Sequence, residues 1–203
     1  MSETVKTKIL DAAKRLFAEK GFEATSVRQI CEEAGANVAL VSYHFGGKEK
    51  LLFAVLESAF PGPEIFGKVD AIEDPVERLS QYIAGYMDWM RQEDEVHKIL
   101  MQEIMVKSDR HHQVGRYPIL FWQRLYRTML EGQQLGVFQF VSIKSAMLQT
   151  MGALLYPKMA PAFVMELFDD EGLSDEELVQ ARQQYILRGL GVHPTESGRG
   201  GEA

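Results

Sequence analysis

Apolar positions recur with a helical period along nearly the whole chain. Ile9, Ala13, Leu16 and Phe17 stand at i, i+4, i+7 and i+8, and Gly21 follows where a left-handed cap would end the helix. A second helix is expected from Ser26, whose hydroxyl can cap the first turn while Gln29, three residues on, reaches back. Its buried face is Val27, Ile30, Cys31 and Ala34, and Gly35 ends it. Asn37 is a good N-cap for a short third helix through about Phe45. Gly46-Gly47 breaks the pattern, and Lys48-Glu49-Lys50 opens a fourth helix carrying Leu51, Leu52, Val55 and Leu56.

From Phe60 to Glu73 the chain holds two prolines and two glycines, the best place for a joint between domains. Asp74-Pro75 with Glu77 then combines a cap, an N1 proline and a capping box. Val76, Leu79, Ile83, Tyr86, Met87 and Met90 line one face of the helix that follows. Val96 to Val106 is apolar nearly all round, which predicts a buried helix. Another is expected from near Pro118, with Ile119, Trp122, Leu125, Tyr126 and Met129, ending between Gly132 and Gly136. Ser142 to Tyr156 should be stopped by Pro157. Ser174 with Glu177 boxes the last helix, which runs to Gly189-Leu190-Gly191. From His193 the tail has little to bury and is expected to be disordered. No stretch alternates with period two for long, and Val137–Val141, the only strand-like run, is too short and isolated for a sheet. The pattern predicts an all-α chain of about nine helices, divided into residues 1–60, 61–192 and a tail of 193–203.

Composition narrows the class. Apolar residues make up 46% and charged residues 25%, enough for a core and typical of a globular protein. No apolar run approaches the length of a membrane span. The stretch Met1–Leu10 has no apolar h-region or cleavage site, which argues against secretion. The single cysteine, Cys31, fits a reducing cytosol and a place in a helix core. The net charge of −7 does not advertise nucleic-acid binding, but residues 1–60 hold eight Lys/Arg and eight Asp/Glu, so the acidity lies in the remainder. The first part is thus free to approach a phosphate backbone.

The stretch Val27–Phe45 carries the functional signal. Two short helices joined at a glycine are what a helix-turn-helix requires, and Gly35 supplies the positive φ of the turn. Ile30, Cys31, Ala34 and Val41 can close the hinge. The second helix then offers Ala39, Leu40, Ser42, Tyr43 and His44, without the charges of an ordinary solvated face. Small and apolar side chains allow close approach to thymine methyl groups, and Ser42 can bond a base edge or phosphate. Tyr43, His44 and Lys48 suit phosphate oxygens. Thr25, Ser26 and Arg28, with Asn37 at the turn, complete the candidate DNA contacts. Singly, Thr25, Arg28 and Lys48 are ordinary surface residues, and Phe45 reads better as core than as a contact; the assembled pattern carries the argument.

In order and spacing, these residues resemble the N-terminal signature of the tetracycline-repressor (TetR) family. Ile9–Ile30 is similar to its first helix and the entry to its second, and Ala34–Leu51 to its turn, recognition helix and fourth-helix start. The resemblance covers roughly residues 5–56. It implies a three-helix DNA-binding domain followed by a helical bundle, with a homodimer on pseudo-palindromic double-stranded operator DNA. It also implies an effector pocket and repression relieved by ligand. The last two helices, about 142–156 and 174–190, would form the dimer surface. Two departures stand out: Ser42 replaces a common aromatic, and Gly47 replaces a common capping serine. A glycine cap is only slightly weaker, so the Gly46-Gly47 pair is expected to loosen the joint.

Residues 61–203 hold nine of the ten methionines and both tryptophans. Methionine adapts to varied shapes, which suits a small, bulky apolar effector. Candidate pocket residues are Tyr86, Met90, Met101, Glu103, Met105, Trp122, Tyr126, Met147 and Met151, although each by itself reads as core at helical spacing. Glu103 is a lone acid in an apolar helix; if buried it needs an arginine such as Arg124, or a cationic ligand. His111-His112 reads as solvated loop rather than a metal site. No nucleophile–base pair, phosphate loop or paired-carboxylate site is present, so neither a cofactor nor an enzymatic activity is expected. Two alternatives stay open: a DNA-binding protein of the same family without effector control, and an all-α enzyme or carrier whose first helices mimic the motif.

Overall fold

The computed structural model describes residues 4–60, 66–159 and 172–192. Eleven helices are present among them: α1 Val5–Ala24, α2 Val27–Ala34, α3 Ala39–Phe45, α4 Lys48–Ala59, α5 Gly67–Asp70, α6 Pro75–Gln92, α7 Asp94–Val106, α8 His111–Val114, α9 Arg116–Gln134, α10 Ile143–Met159 and α11 Asp175–Gly189. No strand occurs among the described residues. The two helices beyond the expected set, α5 and α8, have four residues each, too few to leave a readable period. Two boundaries also differ. The chain enters α9 two residues before Pro118, which is tolerated in a first turn. It also continues α10 past Pro157, where a proline so near the end forfeits a single intrahelical bond. The tail and part of the Phe60–Glu73 joint lie outside the described residues.

The chain forms two compact units that do not divide it at one point. One comprises Met1–Gly67 together with Asp88–Trp122, the other Lys68–Met87 with Gln123–Ala203. Helices α6 and α9 therefore contribute residues to both.

The first unit is built around α1, which packs on α2, α4 and α7. Ile9, Ala12, Ala13 and Phe17 of α1 are wholly buried with Ile30, Val41, Leu51, Leu52, Val55 and Leu56. Each large side chain among them is worth ~1.5–3 kcal/mol over leaving it exposed. From α7, Val96, Ile99 and Leu100 join this core. The helix is not buried all round, however. Ile104, Met105 and Val106 at its end are exposed in the single chain. At the far end of α4, the Trp89 indole donates to the Ala59 carbonyl at 2.9 Å. The Phe60 ring there lies 4.7 Å from Trp89 and 5.4 Å from Tyr117.

In the second unit, Leu79, Ile83, Leu125, Met129, Phe138 and Leu154 are buried. Asp70 accepts hydrogen bonds from Tyr82 and from Arg124, the latter at 3.2 Å. Arg78 pairs with Glu131, and Gln183 of α11 donates to the Ser80 carbonyl of α6 at 2.8 Å. The run Val137–Val141 forms no strand. Its Phe138 ring packs over Gly132, and the Gln139 amide donates to the Leu190 carbonyl at 2.7 Å.

Candidate nucleic-acid interface

Helix α2 starts as its sequence requires. The Ser26 hydroxyl accepts from the Gln29 backbone amide at 3.2 Å while the Gln29 side-chain Oε1 accepts from the Ser26 backbone amide at 2.8 Å. Gly35 ends the helix in the left-handed region at φ 62°, and the Ala36 amide returns to the Cys31 carbonyl at 2.9 Å. Asn37 then caps α3: its Oδ1 accepts from the Ala39 amide at 2.9 Å. The turn is thus held by hydrogen bonds at both ends.

Helix α3 has two unlike sides. Val41 and Phe45 enter the core, with Leu40 half-buried beside them. Ala39, Ser42, Tyr43 and His44 are exposed, Tyr43 at 79%. With Ser42 and His44 exposed beside it, this ring leaves the outer side of α3 free of carboxylates and open to a polyanion. The Tyr43 ring meets His44 edge-on at 4.9 Å. The interior is inert by comparison: burial pushes the Cys31 thiol up, as expected of a packing residue.

Cations surround the end of α3. Lys6 of α1 lies 5.8 Å from the Phe45 ring. A Cβ at Gly46 would stand 3.1 Å from Lys50 Cδ, so the Lys50 side chain folds over the end of α3. Neither lysine was among the expected contacts. Their nearness to α3 arises from the packing of α1 and α4 and has no counterpart in local spacing. Lys48, the first residue of α4, holds its ammonium 4.1 Å from the Phe22 ring. Partial burial lowers its pKa, and Arg110 adds to the lowering while Glu23 and Glu103 oppose it.

Arg28 and Ser26 lie exposed at the start of α2, Arg28 paired with Glu32 at 2.9 Å. Thr25 faces the other way. It is 1% exposed, and its hydroxyl donates to the carbonyls of Gly21 at 2.8 Å and Leu16 at 3.1 Å. A phosphate contact by that hydroxyl does not fit this placement, because it is buried and directed at the backbone of α1.

Glu103 is buried, and its partner is not Arg124. Arg124 is engaged by Asp70 within the second unit, whereas Glu103 accepts from Arg110 Nε at 3.1 Å and from the Ser108 hydroxyl at 2.7 Å. Left-handed Lys107, at φ 51°, turns the chain so that these near neighbours reach back.

The remaining pocket candidates are shared between the two units. Met90, Met101, Met105 and Trp122 belong with Glu103 to the first unit, and Tyr86, Tyr126, Met147 and Met151 to the second. Met105 and Tyr126 are exposed. A groove of about 490 Å³ in the second unit runs between α10 and α11, lined by Ala146, Gln149, Thr150, Tyr185 and Ile186 among others, and by none of the nine. Met147 and Met151 directly follow Ala146 and Thr150, two of the residues that line it. Among the described residues no cluster of potential metal ligands occurs, and no helix is long and apolar enough to cross a membrane.

Comparison with known proteins bears on this arrangement. Residues 9–55 match the model for bacterial regulatory proteins, tetR family. The chain is 23% identical over 172 residues to the probable HTH-type transcriptional regulator YttP of Bacillus subtilis (strain 168), covering 82% of this chain and 83% of that protein. Among solved structures, HlyIIR, a hemolysin II transcriptional regulator, is similar with a TM-score of 0.71 at 28% identity, over 92% of this chain and 96% of that one. A linker-substituted variant of HlyIIR reaches 30% identity and a TM-score of 0.73, over 89% of this chain and 94% of that one. AibR, solved in complex with isovaleryl coenzyme A and operator DNA, shares the fold with a TM-score of 0.72 at 21% identity, over 91% of this chain and 98% of its own.

Proposed function

Given that the chain belongs to the tetR family of helix-turn-helix transcriptional regulators, we propose that it is a homodimeric repressor released from a pseudo-palindromic operator by a small apolar effector. The observation that carries the DNA reading is the two-sided α3, which buries Val41 and Phe45 and presents Ser42, Tyr43 and His44. Ala39 and Leu40 would approach thymine methyls, and Ser42 a base edge. Tyr43, His44, Lys48, Lys6 and Lys50 would meet phosphates, with Ser26, Arg28 and Asn37 at the flank. Thr25 positions this face from inside.

Dimerisation is supported by exposed apolar residues on the last two helices, Leu148 and Tyr156 on α10, Leu178 and Tyr185 on α11. A second copy would cover them and place two α3 helices one DNA turn apart, ~34–36 Å. Release then needs an effector that binds better to a wider or twisted dimer, since a ligand shifts an equilibrium only by its differential affinity. Typical coupling of ~1–3 kcal/mol gives ~5–150-fold. The methionines and tryptophans beyond residue 60 support an apolar effector. The site of action is the cytoplasm, and the role is non-enzymatic.

The test is selection of duplexes from a random pool, followed by a salt titration with Tyr43→Ala and Lys48→Ala. The reading requires saturable, salt-sensitive binding that both changes weaken. Binding that neither change affects would overturn it.

A further inference from the structure

We propose that Arg110, which lies outside the helix-turn-helix, is a positioning residue for operator binding, setting the place of Lys48 through Phe22 and Glu23. The proposal rests on the reading of α3 and α4 as the DNA face. The geometry is local to the first unit. Arg110 stands at the start of α8 with its side chain 13% exposed. Its Nη2 donates to Glu23 at 2.7 Å and its Nε to buried Glu103 at 3.1 Å. Its guanidinium carbon lies 3.8 Å from the centroid of the Phe22 ring, the same ring that lies 4.1 Å from the Lys48 ammonium. One aromatic ring therefore carries two cations, one from the turn after α7 and one from the DNA face.

The arrangement has a direction. Glu103 comes from α7 and is held by Ser108 as well as Arg110, so the guanidinium is anchored at its buried end. Arg110 in turn grips Phe22 and Glu23, the residues that follow the break at Gly21. Its hydrogen bond is the main cause that holds the Glu23 carboxyl below the usual carboxylate range. Lys48 has no such anchor in its own helix, because the preceding Gly47 offers no side chain and α4 has no side-chain cap. What locates its ammonium is the face of Phe22, by the attraction of a cation to the ring quadrupole, with Glu23 attracting from beside it. Two cations on one ring repel, and the two carboxylates offset that repulsion. A shift of the turn after α7 would move Arg110, then Phe22 and Glu23, and so the cation offered to the phosphate.

A purely mechanical staple between α7 and α1 predicts something different, and two readouts separate them. The probe is a fluorescein-labelled duplex of about 30 base pairs, three helical turns, recovered by selection from a random pool with the full chain. Arg110→Gln is combined with Glu103→Gln so that no buried carboxylate is left unpaired. The double variant should bind this duplex about fivefold or more weakly. The slope of log affinity against log salt should become shallower by about 0.9, the value of one lost phosphate contact. Adding Lys48→Ala should then cost nothing further. Phe22→Leu, which keeps an apolar side chain but removes the ring, carries the same three expectations if the charge-pair variant does not fold. Unchanged affinity, an unchanged salt slope, or a further loss on adding Lys48→Ala to the double variant overturns the proposal. The DNA reading fails separately, when Lys48→Ala and Tyr43→Ala themselves leave binding untouched.

Discussion

The Thr25 hydroxyl donates to two carbonyls where α1 breaks at Gly21, and it does so in a site closed to solvent. Thr25→Val keeps the branched shape and removes the one donor that these carbonyls share. Urea unfolding should show a loss of about 1 kcal/mol, the net worth of one such bond. The salt slope of DNA binding should stay at its wild-type value, because no phosphate contact is lost. Gly132 is a second position where one atom decides. A Cβ there would stand 2.1 Å from the Phe138 ring, which is 1% exposed and has nowhere to go. Gly132→Ala should lower stability by about 1–3 kcal/mol, the range for overpacking a filled core, seen as a lower melting temperature.

At the scale of elements, the joint between α3 and α4 adds a backbone constraint to what capping preferences imply. Gly46 ends α3 at φ 76° and Gly47 begins α4 at φ 123°, ψ 175°. The second conformation is open to glycine and strained for any residue with a Cβ. The glycine pair therefore makes a reversal that a serine at position 47 could adopt only with strain. Gly47→Ser should destabilise by about 1–3 kcal/mol and weaken operator binding, measured by melting and by fluorescence anisotropy. An unchanged melting temperature with unchanged affinity would return Gly47 to the weak-cap reading. The helices themselves were largely legible in the sequence. Ser26 with Gln29 and Ser174 with Glu177 form the capping boxes that their spacing predicts, since a cap is a contact between residues three apart. What escaped were α5, α8 and the outward-facing end of α7, where neither period nor cap distinguishes a packed turn from a free one.

For the whole molecule, the exposed apolar side chains of α10 and α11 argue that a single chain is not the working form. Tyr185, 71% exposed, is the best point to test this. Tyr185→Asp would place a charge where a second copy is proposed to pack, and burying an unpaired carboxylate is costly. Sedimentation should then report monomers, and operator binding should fall by at least tenfold as the two-site grip is lost. A dimer that survives this change would move the interface elsewhere.

The sequence by itself determined what depends on near neighbours: the helical period, the caps, the glycine turn, and the order of residues from Ile9 to Leu51 that marks the family. Those features arise from contacts within about one or two helical turns, so spacing along the chain expresses them directly. Only the tertiary structure decided the rest. It drew α7 onto α1 and into the first unit, turned Thr25 inward, and gave Glu103 to Arg110 rather than Arg124. It also brought Lys6 and Lys50 to the end of α3, and divided the expected pocket residues between two units. Each of these depends on which faces meet once apolar surface is withdrawn from water, and that drive is non-directional. The period shows that a face will be buried, and the partner it meets is settled by the packing of the whole.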